Sequence, residues 1–369
     1  MKTITTKINS NRIYNIEQTI SSDFPKKKVA YFDIETTGLS SSYNQIYLIG
    51  IAYQNEDGSF TITQWFDDTS KDEMKLLLKF REFLKKYDYL IEFNGNSFDI
   101  PFVESRGKKH GISFNFSKII PIDIYRELKG YKSLFKLDNL KQKSLEKFLG
   151  IGRDDLYSGG ELIDIYKEYV RTGSKNEEYF NLLMLHNFDD MKGLVDVCDI
   201  MTYVKLFNGD FSLNSITLQS ENVFVECKLN TPIPVEIFDL MDKISIKVCK
   251  DVLKILIPLT TGIYKYFYEN YKDYFYLPHE DTAIHKSVAQ FVDKEYREKA
   301  KKETCYTKKE STFLTQYSEI IKPSFKENYK DKISYFEINE DVIHSFLNEP
   351  EKKKLFEEYI KDIIGIFIH

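Results

Sequence analysis

The segment FDIETTGL, residues 32–39, joins an apolar run to a turn that contains a glycine. Residues two apart on a β-strand point to the same face, so Asp33 and Glu35 place two carboxylates side by side at the end of the strand. Adjacent anions on a central strand are costly unless a cation neutralises them, as a hard divalent ion would. Two unrelated acids at a solvent-exposed strand end are the alternative, and the segment alone does not decide between them.

The sequence on either side of this segment predicts strands that later alternate with helices. Apolar and alternating runs predict strands at 29–35, 45–54, 59–66, 89–95 and 119–125. Helical spacing predicts helices at 98–106, 137–149, 159–171 and 176–207. A further helix is predicted after Ser70, because Ser70 and Glu73 have the spacing of a capping box. This order favours a mixed sheet with helices on both faces, which is an α/β domain.

The length of 369 residues predicts two domains, because it exceeds the size of one average domain. We predict a polar, flexible N-terminal arm over residues 1–24 and the α/β domain over 25–207. The pattern breaks at FNGDFSLN, which begins at Phe207. Residues 208–369 are predicted to form a separate α+β C-terminal domain, to which the sequence assigns no role. Charged helices are predicted near its end, at 293–303 and 351–365.

Composition excludes several classes of protein. With 42% hydrophobic and 30% charged residues, the chain is neither a disordered tail nor a fibrous repeat. A formal charge of −5 argues against binding nucleic acid through a broad basic surface, although not against a small metal site. No apolar run has the length of a membrane span, and the N-terminus has no signal-peptide core. The four cysteines form no C-x-x-C pair, so reduced thiols and a cytoplasmic location are expected.

Two further segments carry acids that would lie near the first pair. The fourth predicted strand leads into NGNSFD, residues 94–99, which puts Asp99 at the start of a helix. Asp99 would lie beside the first strand if the two strands are neighbours, although helix capping is a common role for such a residue. In the later helix, His186 and Asp190 are four residues apart and share a face. A polar helix surface is the alternative for that pair.

Together these elements resemble the DEDD superfamily of 3′-to-5′ exonucleases. The segments FDIETTGL, IEFNGNSFDIP, PIDIY, LFKLDNLKQKSLEKFLGIGRDDLYSGG and LLMLHNFDDMKGLVDV also occur in the order seen in the YprB-type ribonuclease H-like family. The resemblance covers roughly residues 28–205. It implies a ribonuclease H-like mixed five-stranded sheet flanked by helices.

The resemblance also implies a mechanism and a substrate. Two divalent cations, Mg²⁺ or Mn²⁺, would bind Asp33, Glu35, Asp99 and Asp190, and hydrolyse a phosphodiester bond. His186 would act as general base or orient the attacking water. The expected partner is nucleic acid with a single-stranded 3′ end. The residues expected to line its groove are Thr36, Thr37, Gly38, Leu39, Asn94 and Phe98.

The spacing of the histidine departs from the family pattern. In the superfamily, a histidine usually lies five residues before the last aspartate and a tyrosine four before it. Here His186 lies four residues before Asp190 and three before Asp189. We favour Asp190 as the last ligand, because residues four apart share a helix face, and Asp189 is the alternative.

The sequence also allows other interpretations of two residues and of the function. Arg153 could contact a phosphate, but a loop ion pair is the favoured interpretation, and Asp123 is expected to have a hydrogen-bonding role. The alternatives to the exonuclease are a structure-selective endonuclease on the same fold and a catalytically silent nucleic-acid-binding scaffold. Four retained acids count against the silent scaffold. The choice between DNA and RNA is open.

Overall fold

The computed structural model describes residues 1–16, 28–154, 157 and 159–368. The chain divides into two units, Met1–Val204 and Lys205–His369. This division falls close to the break in the sequence pattern at FNGDFSLN.

The first unit is built around one mixed sheet. Its strands are β1 (Lys2–Ile8), β2 (Val29–Thr36), β3 (Ile46–Gln54), β4 (Phe60–Phe66), β5 (Tyr89–Glu92) and β6 (Ile120–Asp123). Their order across the sheet is β1-β4-β3-β2-β5-β6, in which β2, β5 and β6 run parallel and the other neighbours antiparallel. The predicted α/β class is confirmed.

The sheet has six strands instead of the predicted five, because the N-terminal segment is not a flexible arm throughout. Lys2–Ile8 form the edge strand β1, which pairs with β4 from Lys2↔Phe66 to Ile8↔Phe60. The segment KTITTKI is rich in β-branched residues, which suit a half-exposed strand. Its low hydrophobicity is typical of an edge strand, and for that reason the sequence pattern does not predict a strand here. Residues 17–24 of the predicted arm lie outside the described residues.

Helices cover both faces of this sheet. Those of the first unit are α1 (Glu73–Leu84), α2 (Asp99–Lys109), α3 (Ile124–Glu127), α4 (Gln142–Leu149), α5 (Gly159–Arg171) and α6 (Glu177–Asp196). The helix α7 (Met201–Phe207) follows a 3₁₀ turn at Val197–Ile200, so the helix predicted over 176–207 is interrupted. The predicted capping box is also wrong. Asp72 precedes α1 without a side-chain cap, and Glu73 is buried in an ion pair with Arg106.

The alternation of side chains along β2 decides which face carries the acids. Phe32 and Ile34 pack in the core beneath α1 and α2, where the Phe32 ring stacks on Phe80 at 5.1 Å. The intervening residues Asp33 and Glu35 therefore point to the opposite face. Helices α5 and α6 cover that face, and α6 contacts β2, β3 and β4.

The second unit is mainly antiparallel. Its strands are β7 (Phe211–Leu218), β8 (Asn222–Leu229), β9 (Ile237–Met241), β10 (Ile244–Cys249), β11 (Val252–Phe267), β12 (Tyr274–Leu277), β13 (Thr282–His285), β14 (Glu298–Lys299), β15 (Tyr306–Gln316) and β16 (Ser334–Glu337). Strands β12, β13 and β14 form a small sheet, and the others form a seven-stranded sheet. Its helices are α8 (Lys286–Ala289), α9 (Glu340–Asn348) and α10 (Pro350–Gly365).

One of the two predictions of a charged helix in this unit is wrong. Residues 293–303 contain a 3₁₀ turn at Lys294–Tyr296 and the short strand β14, because the segment has no apolar helical face to bury. The helix predicted at 351–365 is present as α10, which buries Phe356, Tyr359, Ile360, Ile363 and Ile364 on one face. No helix within the described part of the chain is long and apolar enough to cross a membrane.

Candidate active site

The end of β2 brings the first two acids to the α6 side of the sheet. Strand β2 lies between β3 and β5, and Asp33 is paired in register with Gly50 of β3. Both Asp33 and Glu35 are partly buried. The structure thus places the carboxylates of Asp33 and Glu35 on one face of the sheet, near the end of an inner strand.

Asp99 joins them through a backbone contact with β2. Pairing between β2 and the shorter β5 ends at Tyr31↔Ile91, so β2 runs on past its parallel neighbour. The N–H of Ile34 donates instead to Asp99 Oδ1 at 3.2 Å. Ile34 directly follows Asp33, and the charge of Asp99 acts on Asp33, so this bond fixes the buried Asp99 carboxylate close to Asp33. Asp99 is the first residue of α2 and is not its N-cap.

Helix α6 contributes a second pair of side chains. His186 Nε2 lies 3.1 Å from Asp190 Oδ2 and 3.5 Å from Glu35 Oε1. Single ligand atoms of Glu35, His186 and Asp190 all lie within 4.8 Å of one another. The spacing of four residues therefore puts both α6 side chains against the end of β2, as expected for one helix face.

The two adjacent aspartates of α6 point to different neighbours. Asp190 contacts His186, whereas Asp189 Oδ2 accepts the backbone N–H of Asp154 at 2.9 Å. Asp189 is buried and anchors the loop that follows α4. The geometry places Asp190 with the other predicted ligands and Asp189 in a loop contact.

The guanidinium of Arg153 lies between two acids of this region. Its Nη1 donates to both oxygens of Glu146, at 3.0 and 2.9 Å, and its Nη2 donates to Asp190 Oδ1. Arg153 therefore forms an intramolecular ion pair, which agrees with the interpretation favoured from the sequence. Glu146 was not predicted. It lies on the amphipathic helix α4, and nothing in its local sequence distinguishes it from a surface glutamate.

Gly193 of α6 makes room for Glu146. A Cβ added at Gly193 would overlap Glu146 Oε1. Gln142 of α4 donates to Glu146 Oε1 at 2.8 Å and to the Asp190 carbonyl at 2.9 Å, so it links the two helices. The close approach of α4 to α6 depends on the glycine.

Burial and, after it, mutual repulsion make the acids around the end of β2 costly to ionise. Burial, followed by the charges of Asp99, Glu35 and Asp190, raises the pKa of Asp33 well above its ordinary value. Burial likewise raises the pKa of Asp99 to about 7. The donor set is rich in carboxylate oxygens, which are the ligands that Mg²⁺ and Mn²⁺ prefer. The residues present therefore fit hard divalent cations.

The turn after β2 is held by its own hydrogen bonds. Thr36 Oγ1 donates to the Gly38 carbonyl at 2.9 Å, and Thr37 Oγ1 accepts from the N–H of Gln45 at 3.0 Å. A Cβ at Gly38 would lie 2.7 Å from Asn44 Oδ1, so the turn closes against Asn44 only with glycine at this position. Leu39, by contrast, is 84% exposed. The two threonines shape the turn, and Leu39 and Tyr43 are large side chains that it exposes to solvent.

Asn94 and Phe98 flank the segment that leads to Asp99. Asn94 has a left-handed φ of 62°, and its N–H donates to Asp123 Oδ1 at 3.0 Å. Asp123 Oδ1 also accepts the N–H of Arg126 at 3.1 Å, which is the expected hydrogen-bonding role. Phe98 packs against the core, with its ring 5.4 Å from that of Phe102. Asn94 and Phe98 are thus engaged in the local structure of the segment.

Glu92, at the end of β5, was also missed. It is buried and accepts backbone N–H groups from Gly95 and, at 3.2 Å, from Asn96. Burial, with a contribution from Asp123, raises its pKa to about 8. Its position in the run YLIE gives no sign of a buried acid.

Comparison with known proteins identifies the fold of this region. Residues 30–202 match the family RNase_H_2, described as RNase_H superfamily. Over 106 residues, 27% of this chain, the sequence is 31% identical to a curated DNA polymerase of Methanocaldococcus jannaschii, and the match spans 6% of that relative.

Two solved structures are also similar at a low level. The family B DNA polymerase of Pyrobaculum calidifontis matches with a TM-score of 0.43 and 11% identity, over 93% of this chain and 46% of that one. E. coli Exonuclease I in complex with a dT13 oligonucleotide matches with a TM-score of 0.30 and 10% identity, over 43% of this chain and 44% of that one.

Proposed function

We propose that the protein, in which residues 30–202 form a domain of the ribonuclease H superfamily, is a metal-dependent 3′-to-5′ exonuclease. It would hydrolyse phosphodiester bonds at the ends of DNA or RNA. The convergence of Glu35, His186 and Asp190, with Asp33 and Asp99 beside them, carries this proposal. The direction of cleavage follows from the resemblance to the DEDD exonucleases.

The charges of the site support a role for two divalent cations. Asp33, Glu35, Asp99 and Asp190 would hold them, and four carboxylates offset the charge of two dications. When bound, the ions would polarise the scissile phosphodiester and lower the pKa of the attacking water. Burial, and after it the negative charge of neighbouring acids, raises the pKa values of Asp33 and Asp99, and a bound cation would offset that charge.

His186 has a position suited to handling the attacking water. Its Nε2 is the ring nitrogen that faces Asp190 and Glu35, so a proton held at Nε2 bonds to Asp190. To accept a proton as a general base, Nε2 must give up that bond, whereas orienting a water keeps the imidazole near its present place. The ring is buried, which limits its movement and favours a fixed orientation.

Leu39 offers the contact for the terminal base. Its side chain is largely exposed on a turn that hydrogen bonds of Thr36 and Thr37 hold in place. Arg106 donates to the Ser41 carbonyl at 3.0 Å and anchors the far side of the same loop. A rigid turn that presents an apolar side chain next to the acids suits an unstacked base at a strand end.

The test is a cleavage assay on 5′-labelled single strands of DNA and RNA with Mg²⁺ or Mn²⁺. The wild-type protein should give a ladder that shortens from the 3′ end, and Asp33→Ala should abolish it. Asp164→Ala is the matched control, because Asp164 is an exposed acid on α5. Cleavage of circular or 3′-blocked strands would indicate an endonuclease. Tight binding without metal-dependent cleavage would indicate a silent scaffold.

A further inference from the structure

Three neighbouring strands place one residue each in a single row beneath α6. Asp33 of β2 is paired with Gly50 of β3, and Gly50 is paired with Gln64 of β4. Paired residues on adjacent strands point to the same face of a sheet. Asp33 and Gln64 are therefore separated by a position that has no side chain.

Asn187 of α6 occupies the space above Gly50. Its side chain is completely buried, and a Cβ added at Gly50 would overlap Asn187 Oδ1 and lie 2.7 Å from Met191 Cγ. The helix can rest on the sheet at this point only because residue 50 is a glycine. The Asn187 amide thus lies between the acid at one end of the row and the amide at the other.

The hydrogen bonds in this row determine which way the Asn187 amide faces. Gln64 Nε2 donates to the Met184 carbonyl at 2.8 Å and to Asn187 Oδ1 at 3.1 Å, which uses both of its hydrogens. Asn187 Oδ1 is therefore directed at Gln64, and its Nδ2 donates to Asp33 Oδ2 at 3.1 Å. A backbone carbonyl of α6 fixes Gln64, Gln64 fixes Asn187, and Asn187 holds one oxygen of Asp33.

We infer that Gln64 and Asn187 are positioning residues, which orient the Asp33 carboxylate for a divalent cation. The inference rests on the proposed function, since it depends on Asp33 being a metal ligand. Partners that hydrogen-bond a ligating side chain fix its direction, and their loss typically lowers metal affinity about 10–100-fold. Neither residue is required to touch substrate for this effect, and Gln64 acts on Asp33 only through Asn187.

Mn²⁺ binding alone tests this inference without reference to cleavage. Titration calorimetry with Mn²⁺ compares wild type, Gln64→Leu and Asn187→Ala. Gln64→Leu is the sharper variant, because it removes the orienting donors without changing any side chain that contacts Asp33. We expect both variants to bind Mn²⁺ about 10–100-fold more weakly. Combining them should cost little more than the larger single effect, because the two residues act as one relay.

Gln54→Leu is the matched control. Gln54 is on β3, in the same sheet, and its amide bonds the Gly58 carbonyl in the β3–β4 hairpin. The Gln54→Leu variant should bind Mn²⁺ with wild-type affinity. Thermal unfolding of each metal-free variant separates a loss of orientation from a loss of fold, since a positioning role requires weaker binding by a protein that is still folded.

The possible results distinguish this inference from the proposed function. Wild-type Mn²⁺ affinity in folded Gln64→Leu and Asn187→Ala would overturn the positioning role and leave the nuclease proposal intact. Weakened binding in both variants, together with no cleavage by the wild type, would support the positioning role and overturn the nuclease proposal. If the wild type bound no Mn²⁺, both the positioning role and the nuclease proposal would be overturned.

Discussion

The carboxylate of Asp99 accepts the backbone N–H of Ile34 at 3.2 Å, and Ile34 stands between Asp33 and Glu35. This single bond ties the first turn of α2 to the strand that carries the first two acids. It replaces a strand-to-strand bond that β5 is too short to make. The third acid of the cluster is therefore held by a backbone N–H group of the sheet.

The adjacent aspartates of α6 should respond differently to the same substitution. Asp190→Asn should lower metal-dependent cleavage at least about 100-fold, since even partners of ligands have effects of about 10–100-fold. Asp189→Asn should cleave close to the wild-type rate, with unfolding free energy lower by about 1 kcal/mol, because an amide oxygen can still accept the Asp154 N–H. Steady-state cleavage rates and chemical denaturation measure the two effects. The reverse order of activity would make Asp189 the ligand.

Leu39 should affect the binding of substrate more than the rate of the chemical step. Leu39→Ala removes an exposed apolar side chain from the turn, and the lost contact of about 1–2 kcal/mol should raise KM about 5- to 30-fold with little change in kcat. Ile120→Ala is the control, because Ile120 is 52% exposed at the start of β6, the end away from the acids. An unchanged KM for Leu39→Ala would remove this residue from the binding groove.

Gly193→Ala should destabilise the first unit. The added methyl group would overlap Glu146 Oε1 and displace the ion pair with Arg153, so we expect unfolding free energy to fall by about 1–3 kcal/mol. Gly160→Ala in α5 is the matched control, because among the described residues a Cβ there would meet no heavy atom within 4 Å beyond its chain neighbours and the backbone of its own helix. It should be neutral or slightly stabilising. Equal stability of the two variants in urea denaturation would show that Glu146 moves aside without cost.

Glu92 should make the metal-free protein less stable as the pH rises. Its folded-state pKa of about 8 lies above the ordinary value of 4.5, so the folded protein binds more protons than the unfolded chain between these values. The stability that Glu92 contributes is present below pH 4.5 and is lost as the pH rises through 8. At pH 9, Glu92→Gln should exceed the wild type in stability by more than about 1 kcal/mol. At pH 5 the two should be similar.

Denaturation midpoints at several pH values measure this difference. Glu104→Gln, at an exposed position of α2, should follow the wild-type curve. If Glu92→Gln and the wild type kept the same dependence on pH, Glu92 would not be the group that takes up the proton.

The parts of the site that follow from local periodicity could be predicted from the sequence. Alternation along β2 puts Asp33 and Glu35 on one face, and spacing along α6 does the same for His186 and Asp190. These two patterns need no knowledge of how the elements pack. Predicting the position of Asp99 required one further assumption, namely that the strand before it, β5, is a neighbour of β2. The parallel pairing of β2 and β5 confirms that assumption.

The parts that depend on the docking of distant elements could not be predicted. The partnership of Glu146 with Arg153 depends on how closely α4 approaches α6. Glu73 has the spacing of a capping residue, yet it forms a buried ion pair with Arg106, which is 33 residues away. The contacts of Asn187 could not be predicted either, because they depend on a row of residues on three strands.

Release of the 3′-terminal nucleotide tests the central claim most directly. A single strand labelled on its last nucleotide is incubated with Mn²⁺, and the first labelled product is identified for wild type and Asp190→Asn. We predict that the wild type releases the label as a mononucleotide from the start of the reaction, and that the variant leaves the strand intact. Release of the label within a longer oligonucleotide, or no release by the wild type, would contradict the account.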